Sequence, residues 1–261
     1  MMSSPQPHPG PPVYRLSRQF LEFFGARRSP GRPLALIAVI GTEGSSYSKA
    51  GHLVLVDEHG NLAGLVSGGC LETDLARRAA DVLRRDERAF VEYDLRNEDG
   101  IFGLGVGCDG MVRLLIEPLT AANQYEPLAS TVDKLDLAGS ADLPLPAHPE
   151  GTLTLNRVRL LRPGNVLLLG AGPDAPPLLQ MIDALGWNIT VSDHRPHYID
   201  VLQPPASVVA HYCPAESIAE NIRLEGFDAA VIMSHNLASD RAYLEVLARS
   251  DIRFIGLLGP R

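Results

Sequence analysis

Apolar residues recur along most of this chain with one of two periods, and each period predicts a type of element. Tyr14–Phe24 places apolar side chains three and four residues apart, which is typical of an amphipathic helix. Leu34–Ile40 is continuously apolar, as in a buried strand. Leu53–Val56 and Leu62–Val66, separated by a turn, predict a hairpin. Residues 1–12 are rich in Pro and Ser and are predicted to be disordered.

A glycine turn, Ser67-Gly68-Gly69-Cys70, follows the hairpin and precedes a clear helix pattern. Ser67 stands where a side chain can accept a hydrogen bond from an early helix N–H, and Glu72 suits the positive end of the helix dipole. Such a turn can hold an anion and favours the thiolate of Cys70. A tight strand–helix turn with a small buried cysteine explains the same residues equally well.

A second glycine-rich stretch, Gly100–Gly110, lies between two predicted strands and contains Gly107 and Cys108. Glycines allow a backbone to approach a ligand closely. Tight structural turns also account for the glycines, but they do not account for a cysteine in each of the two loops. The pair therefore favours a ligand site.

The pattern weakens after this region and then changes. Residues 119–162 carry a weak helix signal followed by a Pro- and Ala-rich stretch, so they are predicted to link two domains, 13–118 and 163–261. The last domain alternates strand and helix patterns, which predicts an α/β fold with a parallel sheet.

The first strand of that domain runs into a GxGxxA fingerprint that begins with Gly170 and Gly172. Asp193 follows at the distance at which an acid contacts a ribose hydroxyl in dinucleotide-binding folds. Two details weaken a nicotinamide cofactor site. Prolines remove N–H donors from the turn, and Arg195 offers a cation that could meet a phosphate instead. The prolines are Pro173, Pro176 and Pro177.

His235 and Asp240 follow another predicted strand of the same domain. Ligands of open α/β sheets bind beyond the carboxyl ends of the strands, so both residues stand where a site is expected. A loop hydrogen bond for His235 and a helix cap for Asp240 are the structural alternatives.

Composition and charge exclude several classes of protein. The formal charge is −8, from 23 basic and 31 acidic residues, without a basic block, which argues against a nucleic-acid or anionic-membrane surface. Transmembrane and signal patterns are absent from the sequence. The three cysteines, Cys70, Cys108 and Cys213, are too few and too widely spaced for a disulfide framework or a CxxC zinc site. We expect a cytoplasmic protein with reduced thiols.

The ordered set of motifs resembles the XdhC/CoxI family from about residue 14 to the end. The motifs are Gly44-Ser45-Ser46-Tyr47, Ser67-Gly68-Gly69-Cys70-Leu71-Glu72, Gly103-Leu104-Gly105-Val106-Gly107-Cys108-Asp109-Gly110, Gly170-Ala171-Gly172-Pro173-Asp174-Ala175, Leu185-Gly186-Trp187, Asp193-His194-Arg195-Pro196, Ser234-His235-Asn236 with Asp240, and Gly256-Leu257-Leu258-Gly259-Pro260-Arg261.

This resemblance implies a small N-terminal α/β domain joined to a C-terminal Rossmann-type domain, often in a homodimer. It implies an accessory protein that binds the molybdenum cofactor (molybdopterin) transiently while its sulfido ligand is installed. The cofactor then passes to an apo molybdenum hydroxylase of the xanthine dehydrogenase or carbon monoxide dehydrogenase type. A cysteine desulfurase is a further implied partner. A cofactor chaperone is therefore favoured over a catalyst.

The sequence departs from the family pattern in two places. Where many relatives have an Arg-Pro-Gly run, this chain has Ser48-Lys49-Ala50-Gly51, which keeps one cation and lacks the proline. Relatives also continue past the Gly-Pro-Arg ending, so we expect this sequence to be a truncated form of a longer protein.

Thiolates suit molybdenum, and glycine loops suit a phosphate and a pterin edge. We therefore expect Cys70 and Cys108 to be metal ligands that approach each other across one cleft, which faces the Rossmann crevice near Gly172 and His235. The alternatives are an NAD(P)-dependent oxidoreductase, favoured by the GxGxxA fingerprint, and a non-catalytic assembly adaptor.

Overall fold

A computed structural model gives the structure of residues 10–95, 110–149 and 155–259. The chain divides into two compact units, Met1–Arg162 and Pro163–Arg261. Each unit is built around its own β-sheets and its own buried apolar clusters. Each unit therefore has a hydrophobic interior of its own.

The first unit begins with a short strand and a helix that starts after Ser17. The Ser17 side chain accepts a hydrogen bond from the Phe20 N–H, which satisfies one of the donors left free at a helix start. The described elements are, in chain order, β1 (Val13–Arg15), α1 (Arg18–Arg28), β2 (Leu34–Gly44), β3 (Leu53–Asp57), β4 (Leu62–Ala63), α2 (Glu72–Arg85), β5 (Ala89–Asp94), β6 (Gly110–Leu119), α3 (Leu128–Ala138), β7 (Ser140–Pro144) and β8 (Arg157–Leu161).

The central sheet of the first unit has five strands in the order β4-β3-β2-β6-β5, and neighbouring strands are antiparallel. β2 lies in the middle, and all of its residues from Leu34 to Ile40 are buried. A strand without an exposed face needs a covering layer on each side, which explains why this run is continuously apolar. The predicted hairpin is formed by β3 and β4, in which Leu55 lies opposite Ala63.

Two layers cover this sheet. On one face, Leu75, Ala79 and Val82 of α2 belong to the same buried cluster as Ile37 of β2. The other face is covered by α1, α3 and a three-stranded sheet with the order β1-β8-β7. Both faces of the central strand β2 are therefore covered.

The segment 119–162 differs from the linker that the sequence pattern predicts. It contains α3, β7 and β8 and belongs to the first compact unit. Val158 and Leu160 are buried, whereas Arg157 and Arg159 are exposed. Such short strands, set among prolines, carry little periodicity in the sequence. Their role becomes visible only when they pair and cover the core.

The second unit alternates strands and helices. Its described elements are β9 (Asn165–Leu169), α4 (Ala175–Ala184), β10 (Asn188–Asp193), α5 (Pro196–Val201), β11 (Val208–Tyr212), a 3-10 turn (Ala215–Ser217), α6 (Ile218–Asn221), β12 (Ala229–Ile232), α7 (Leu237–Leu247) and β13 (Phe254–Leu257).

The five strands of the second unit form a parallel sheet in the order β11-β10-β9-β12-β13. β9 is the central strand. Its side chains alternate between two buried clusters, with Leu167 and Leu169 in one and Val166 and Leu168 in the other. This is the doubly wound arrangement of dinucleotide-binding folds, and it confirms the predicted α/β fold class.

Candidate functional site

The glycine turn of the first unit is held together by two of its own side chains. Ser67 Oγ accepts hydrogen bonds from the N–H groups of Gly69 (3.2 Å) and Leu71 (3.0 Å). Glu72 is the first residue of α2, and its carboxylate accepts hydrogen bonds from the N–H groups of Val66 (3.2 Å) and Ser67 (2.8 Å). It also accepts one from the Ser67 hydroxyl at 2.5 Å. Much of the turn's donor capacity is therefore used internally.

The Glu72 carboxylate places a negative charge at the start of α2. Burial by itself would raise the pKa of Glu72, but hydrogen bonds from Ser67 and Leu71 outweigh burial and lower the pKa below its ordinary value. The residue is only 9% exposed. Because this charge already occupies the helix N-terminus, a second anion must bind through donors that point away from Glu72.

Two donors of the turn are left for such a contact. Among the described residues, none accepts a hydrogen bond from the N–H groups of Gly68 and Cys70. Gly68 and Gly69 are exposed, and Gly69 has a φ of +112°, a conformation that favours glycine. The exposed backbone of Gly68 to Cys70 is therefore the accessible face of the turn.

Cys70 is half-buried and carries a free thiol that packs against the cluster beneath α2. The other predicted thiol, Cys108, and its neighbour Gly107 lie outside the described residues. The predicted approach of the two thiols therefore stays a prediction.

The loop after β2 is fastened to the glycine turn. The Ser48 hydroxyl donates a hydrogen bond to the Val66 carbonyl at 2.7 Å, and the Ser46 hydroxyl donates one to the Ser48 carbonyl at 2.8 Å. Tyr47, between these two serines, is 61% exposed. Ser48 was not among the predicted site residues, although the serine-rich loop was a signal for it.

The start of β6 lies at the same end of the sheet. Gly110 pairs with Gly44, the last residue of β2. A Cβ atom at Gly110 would lie 2.4 Å from the Ser45 carbonyl oxygen, so only glycine fits at this position. The loop after β2, the glycine turn and the first residue of β6 are thus brought together by the order of the strands.

In the second unit, the strand order reverses direction between β9 and β12, which makes this position the topological switch point. Gly170 lies there with a φ of +128°. A Cβ atom at Gly170 would lie 2.4 Å from the Met233 carbonyl oxygen at the end of β12. The first glycine of the fingerprint therefore allows two chain segments to pass at close range.

The start of α4 lacks most of the donors that a pyrophosphate site needs. Pro176 and Pro177 have no N–H, and the N–H of Ala175 donates to the Gly172 carbonyl at 2.9 Å. The carboxylate of Asp174 adds negative charge at the same end. This helix start therefore differs from the anion site of a typical dinucleotide-binding fold.

Asp193, the expected ribose ligand, is fully buried and engaged in an ion pair. Arg195 contacts both carboxylate oxygens, with Nε 2.9 Å from Oδ1 and Nη2 3.0 Å from Oδ2, and Ala171 N–H donates to Oδ2 at 2.7 Å. Burial would raise the pKa of Asp193, but these contacts lower it. The predicted ribose and phosphate contacts stay predictions, and either ligand would have to compete with this pair.

His235 connects the two loops beside the switch point. Its Nε2 atom lies 2.9 Å from Oδ2 of Asp174, and its φ of +57° is unusual for a residue with a side chain. Both side chains are about half exposed. Asp174 was missed in the sequence analysis because its contact with His235 spans 61 residues of the chain.

Asp240 fixes the loop between β12 and α7. Its Oδ1 atom accepts hydrogen bonds from the hydroxyl (2.5 Å) and the N–H (3.2 Å) of Ser234. The cap of α7 is formed by Asn236, whose side chain accepts a hydrogen bond from the Ser239 N–H at 3.0 Å. Asp240 therefore organises the loop rather than capping the helix.

Two buried hydroxyl groups near this region were also missed. Ser192 Oγ and the Tyr243 hydroxyl are buried and have no hydrogen-bond partner among the described residues. Burial raises the pKa of Tyr243, and the negative charge of Asp193 raises it further. Neither hydroxyl belongs to a motif that sequence inspection could single out.

The described residues contain no cluster of three or more His, Cys, Asp or Glu side chains arranged to hold a metal ion. No helix in the described parts of the chain has the length and apolar character needed to cross a membrane.

Comparison with protein families identifies both parts of the chain. Residues 28–94 match the XdhC and CoxI family, and residues 166–261 match the XdhC Rossmann domain. Together these matches span more than half of the chain. The chain belongs to the XdhC/CoxI family. The resemblance drawn from the motifs is therefore confirmed.

Two relatives are similar over most of their length. A protein of Bacillus subtilis (strain 168), whose name describes it as a probable subunit of xanthine dehydrogenase, is 28% identical, and the match covers 86% of this chain and 78% of the relative. A crystal structure from Bacillus halodurans, described as a xanthine dehydrogenase, has 26% identity and a TM-score of 0.79. That match covers 94% of this chain and 83% of the other.

We predict that Glu72→Gln lowers the free energy of unfolding by about 2 kcal/mol at neutral pH, because a neutral amide replaces a carboxylate that accepts several hydrogen bonds. The pKa of Glu72 is lowered in the folded state, so its contribution is present above the ordinary value of 4.5 and is lost as the pH falls below it. The difference between variant and wild type should therefore narrow in acid. Urea unfolding at several pH values measures it.

The matched control is Glu22→Gln, because Glu22 forms an exposed ion pair with Arg18 on α1. Exposed pairs of this type contribute little, so this variant should unfold like the wild type. A Glu72→Gln effect as small as that of the control would contradict the role assigned to Glu72.

The two glycines of the fingerprint should respond differently to alanine. Gly170→Ala should destabilise the second unit by at least about 3 kcal/mol, because the new Cβ meets the Met233 carbonyl and the backbone angle is unfavourable. A Cβ at Gly172 meets nothing within 4 Å, so Gly172→Ala should fold normally. Thermal unfolding of both variants tests this difference, and equal stability would refute it.

Proposed function

We propose that this protein is an accessory factor that binds the molybdenum cofactor and delivers it to an apo molybdenum hydroxylase of the xanthine dehydrogenase type. The supporting observation is membership of the XdhC/CoxI family in both units, together with two relatives whose names refer to xanthine dehydrogenase. In this proposal the cofactor is cargo rather than a resident group.

The cysteine content argues against an iron–sulfur cluster that is held by cysteines of this chain alone. The chain has three cysteines, whereas an all-cysteine iron–sulfur cluster needs four thiolates. Cys213 is 1% exposed, and burial raises the pKa of its thiol, so it is a poor ligand or nucleophile. Cys70 and Cys108 are the remaining candidates for sulfur contact with the cargo.

The glycine turn offers chemistry that suits such a cargo. Cys70 is half-buried beside the exposed backbone of Gly68 and Gly69. A thiolate is a soft ligand that binds soft metal centres, and N–H groups of a turn bind phosphate oxygens or heterocycle edges. In the proposal, Cys70 contacts the molybdenum end of the cofactor, and the N–H groups of Gly68 and Cys70 contact an oxygen-rich part of it.

We predict that the wild-type protein, purified from cells that synthesise the molybdenum cofactor, contains both molybdenum and pterin. Cys70→Ala should lower both by at least about tenfold, because it removes a proposed metal contact. Cys213→Ala is the control, since Cys213 lies in the core of the second unit. Elemental analysis and pterin fluorescence after oxidation give the two amounts.

Wild-type protein that contains no pterin in such cells, and takes up none when the isolated cofactor is offered, would contradict the proposal. If Cys70→Ala and the Cys70→Ala, Cys108→Ala double variant both bind as much cofactor as the wild type, the thiols have no role in cofactor binding.

The Rossmann fingerprint favours a second candidate, an NAD(P)-dependent oxidoreductase. Titration with NAD and NADP distinguishes the two, because tight dinucleotide binding without pterin binding would support the oxidoreductase.

A non-catalytic assembly adaptor is a further alternative. It would copurify with the hydroxylase, and the Cys70→Ala, Cys108→Ala double variant would still support maturation of that enzyme. A homodimer and a cysteine desulfurase partner stay predictions, which light scattering and copurification test.

A further inference from the structure

One cavity of the first unit lies far from the glycine turn. It has a volume of about 600 Å³ and lies where β6 ends and the chain turns into α3. Its lining includes Arg88, Glu117, Asn123, Glu126 and Leu145. Glu117 is seven residues from Gly110 along β6, which corresponds to about 23 Å. The cavity is therefore separate from the glycine turn.

Glu117 gives this cavity an unusual acceptor. Glu117 lies near the end of β6, opposite Leu36 of β2, and is 8% exposed. Its Oε1 atom accepts a hydrogen bond from Nη2 of Arg88 at 3.1 Å. Its Oε2 atom is buried and has no partner among the described residues. A buried carboxylate oxygen without a donor is costly, so a donor that reaches it gains affinity.

The charged residues around the cavity indicate the sign of the charge that a ligand should carry. Asp86, Glu117 and Glu126 contribute three carboxylates to the lining, whereas Arg88 contributes one cation. Arg88 is about half exposed and contacts only one oxygen of Glu117. A cation that donates hydrogen bonds therefore fits both the half-satisfied Glu117 carboxylate and the excess negative charge around it.

The walls of the cavity specify the shape of this cation. Four prolines and Leu145 line it, so much of the surface is apolar. A guanidinium group is planar, weakly hydrated and rich in N–H donors, whereas an ammonium is compact and strongly hydrated. We propose that this cavity binds a guanidinium group, which pairs with the half-satisfied carboxylate of Glu117 and packs against the proline walls.

The test is a titration of the full chain with ethylguanidinium chloride, in which binding is monitored by amide chemical shifts and by calorimetry. Saturable binding with shifts at Glu117 and Leu145 is expected. Glu117→Gln should weaken binding by at least about tenfold, because a charge-assisted hydrogen bond is lost. Glu92→Gln is the control, since Glu92 lies on the neighbouring strand in an exposed ion pair with Arg113.

Arg88→Ala provides a second variant that does not depend on the folding of Glu117→Gln. Removing this exposed cation frees Oε1 of Glu117 and increases the excess negative charge, so ethylguanidinium should bind more tightly than to the wild type. A purely structural pair between Arg88 and Glu117 predicts that ethylguanidinium binds only to Arg88→Ala, where it replaces the missing side chain, and not to the wild type. Absence of saturable binding, unchanged affinity of Glu117→Gln, or equally tight binding of butylammonium chloride would overturn the proposal.

Two further probes, agmatine and acetyl-arginine amide, test whether the guanidinium group belongs to a small molecule or to a protein side chain. Tighter binding of agmatine identifies a free small molecule, and tighter binding of acetyl-arginine amide identifies an arginine side chain of a partner protein. Loss of cofactor loading by Cys70→Ala is independent of these results, so this inference and the proposed function can fail separately.

Discussion

Buried carboxylates that accept hydrogen bonds from nearby loops fix both candidate regions. Glu72 accepts them from the glycine turn of the first unit, Asp193 from the fingerprint loop, and Asp240 from the loop after β12. A charged acceptor binds N–H donors more strongly than a neutral one, and burial strengthens the attraction. These bonds thus stabilise the conformation of three turns that contain Gly, Ser or Asn, residues that permit many backbone conformations.

The same bonds determine which chemistry is left for a ligand. In the first unit, Ser67 and Glu72 use several donors of the turn, which leaves the exposed backbone around Gly68 and the thiol of Cys70. In the second unit, Asp193 neutralises Arg195, and two prolines remove donors from the start of α4. A Rossmann topology therefore does not by itself specify a dinucleotide site here, since prolines and internal hydrogen bonds remove several of the N–H donors that bind a pyrophosphate.

The layer that covers the central sheet of the first unit also determines the surroundings of Glu117. α3 and β7 close the core over the central sheet, and the proline-rich turns at their ends meet the last residues of β6. Glu117 lies at this boundary between a dry core and solvent. Its carboxylate is consequently half satisfied, with one oxygen on Arg88 and the other unpartnered among the described residues.

The sequence by itself determined the periodic elements, the parallel sheet of the second unit and the family, because apolar periodicity and motif order are local properties of the chain. It also located the glycine turn around Gly68 and the fingerprint. Only the tertiary structure decided that 119–162 covers a core, that Asp193 pairs with Arg195, and that His235 meets Asp174. These outcomes depend on which donors and acceptors the strand order brings together, and residues far apart in the chain carry no local signal of their contact.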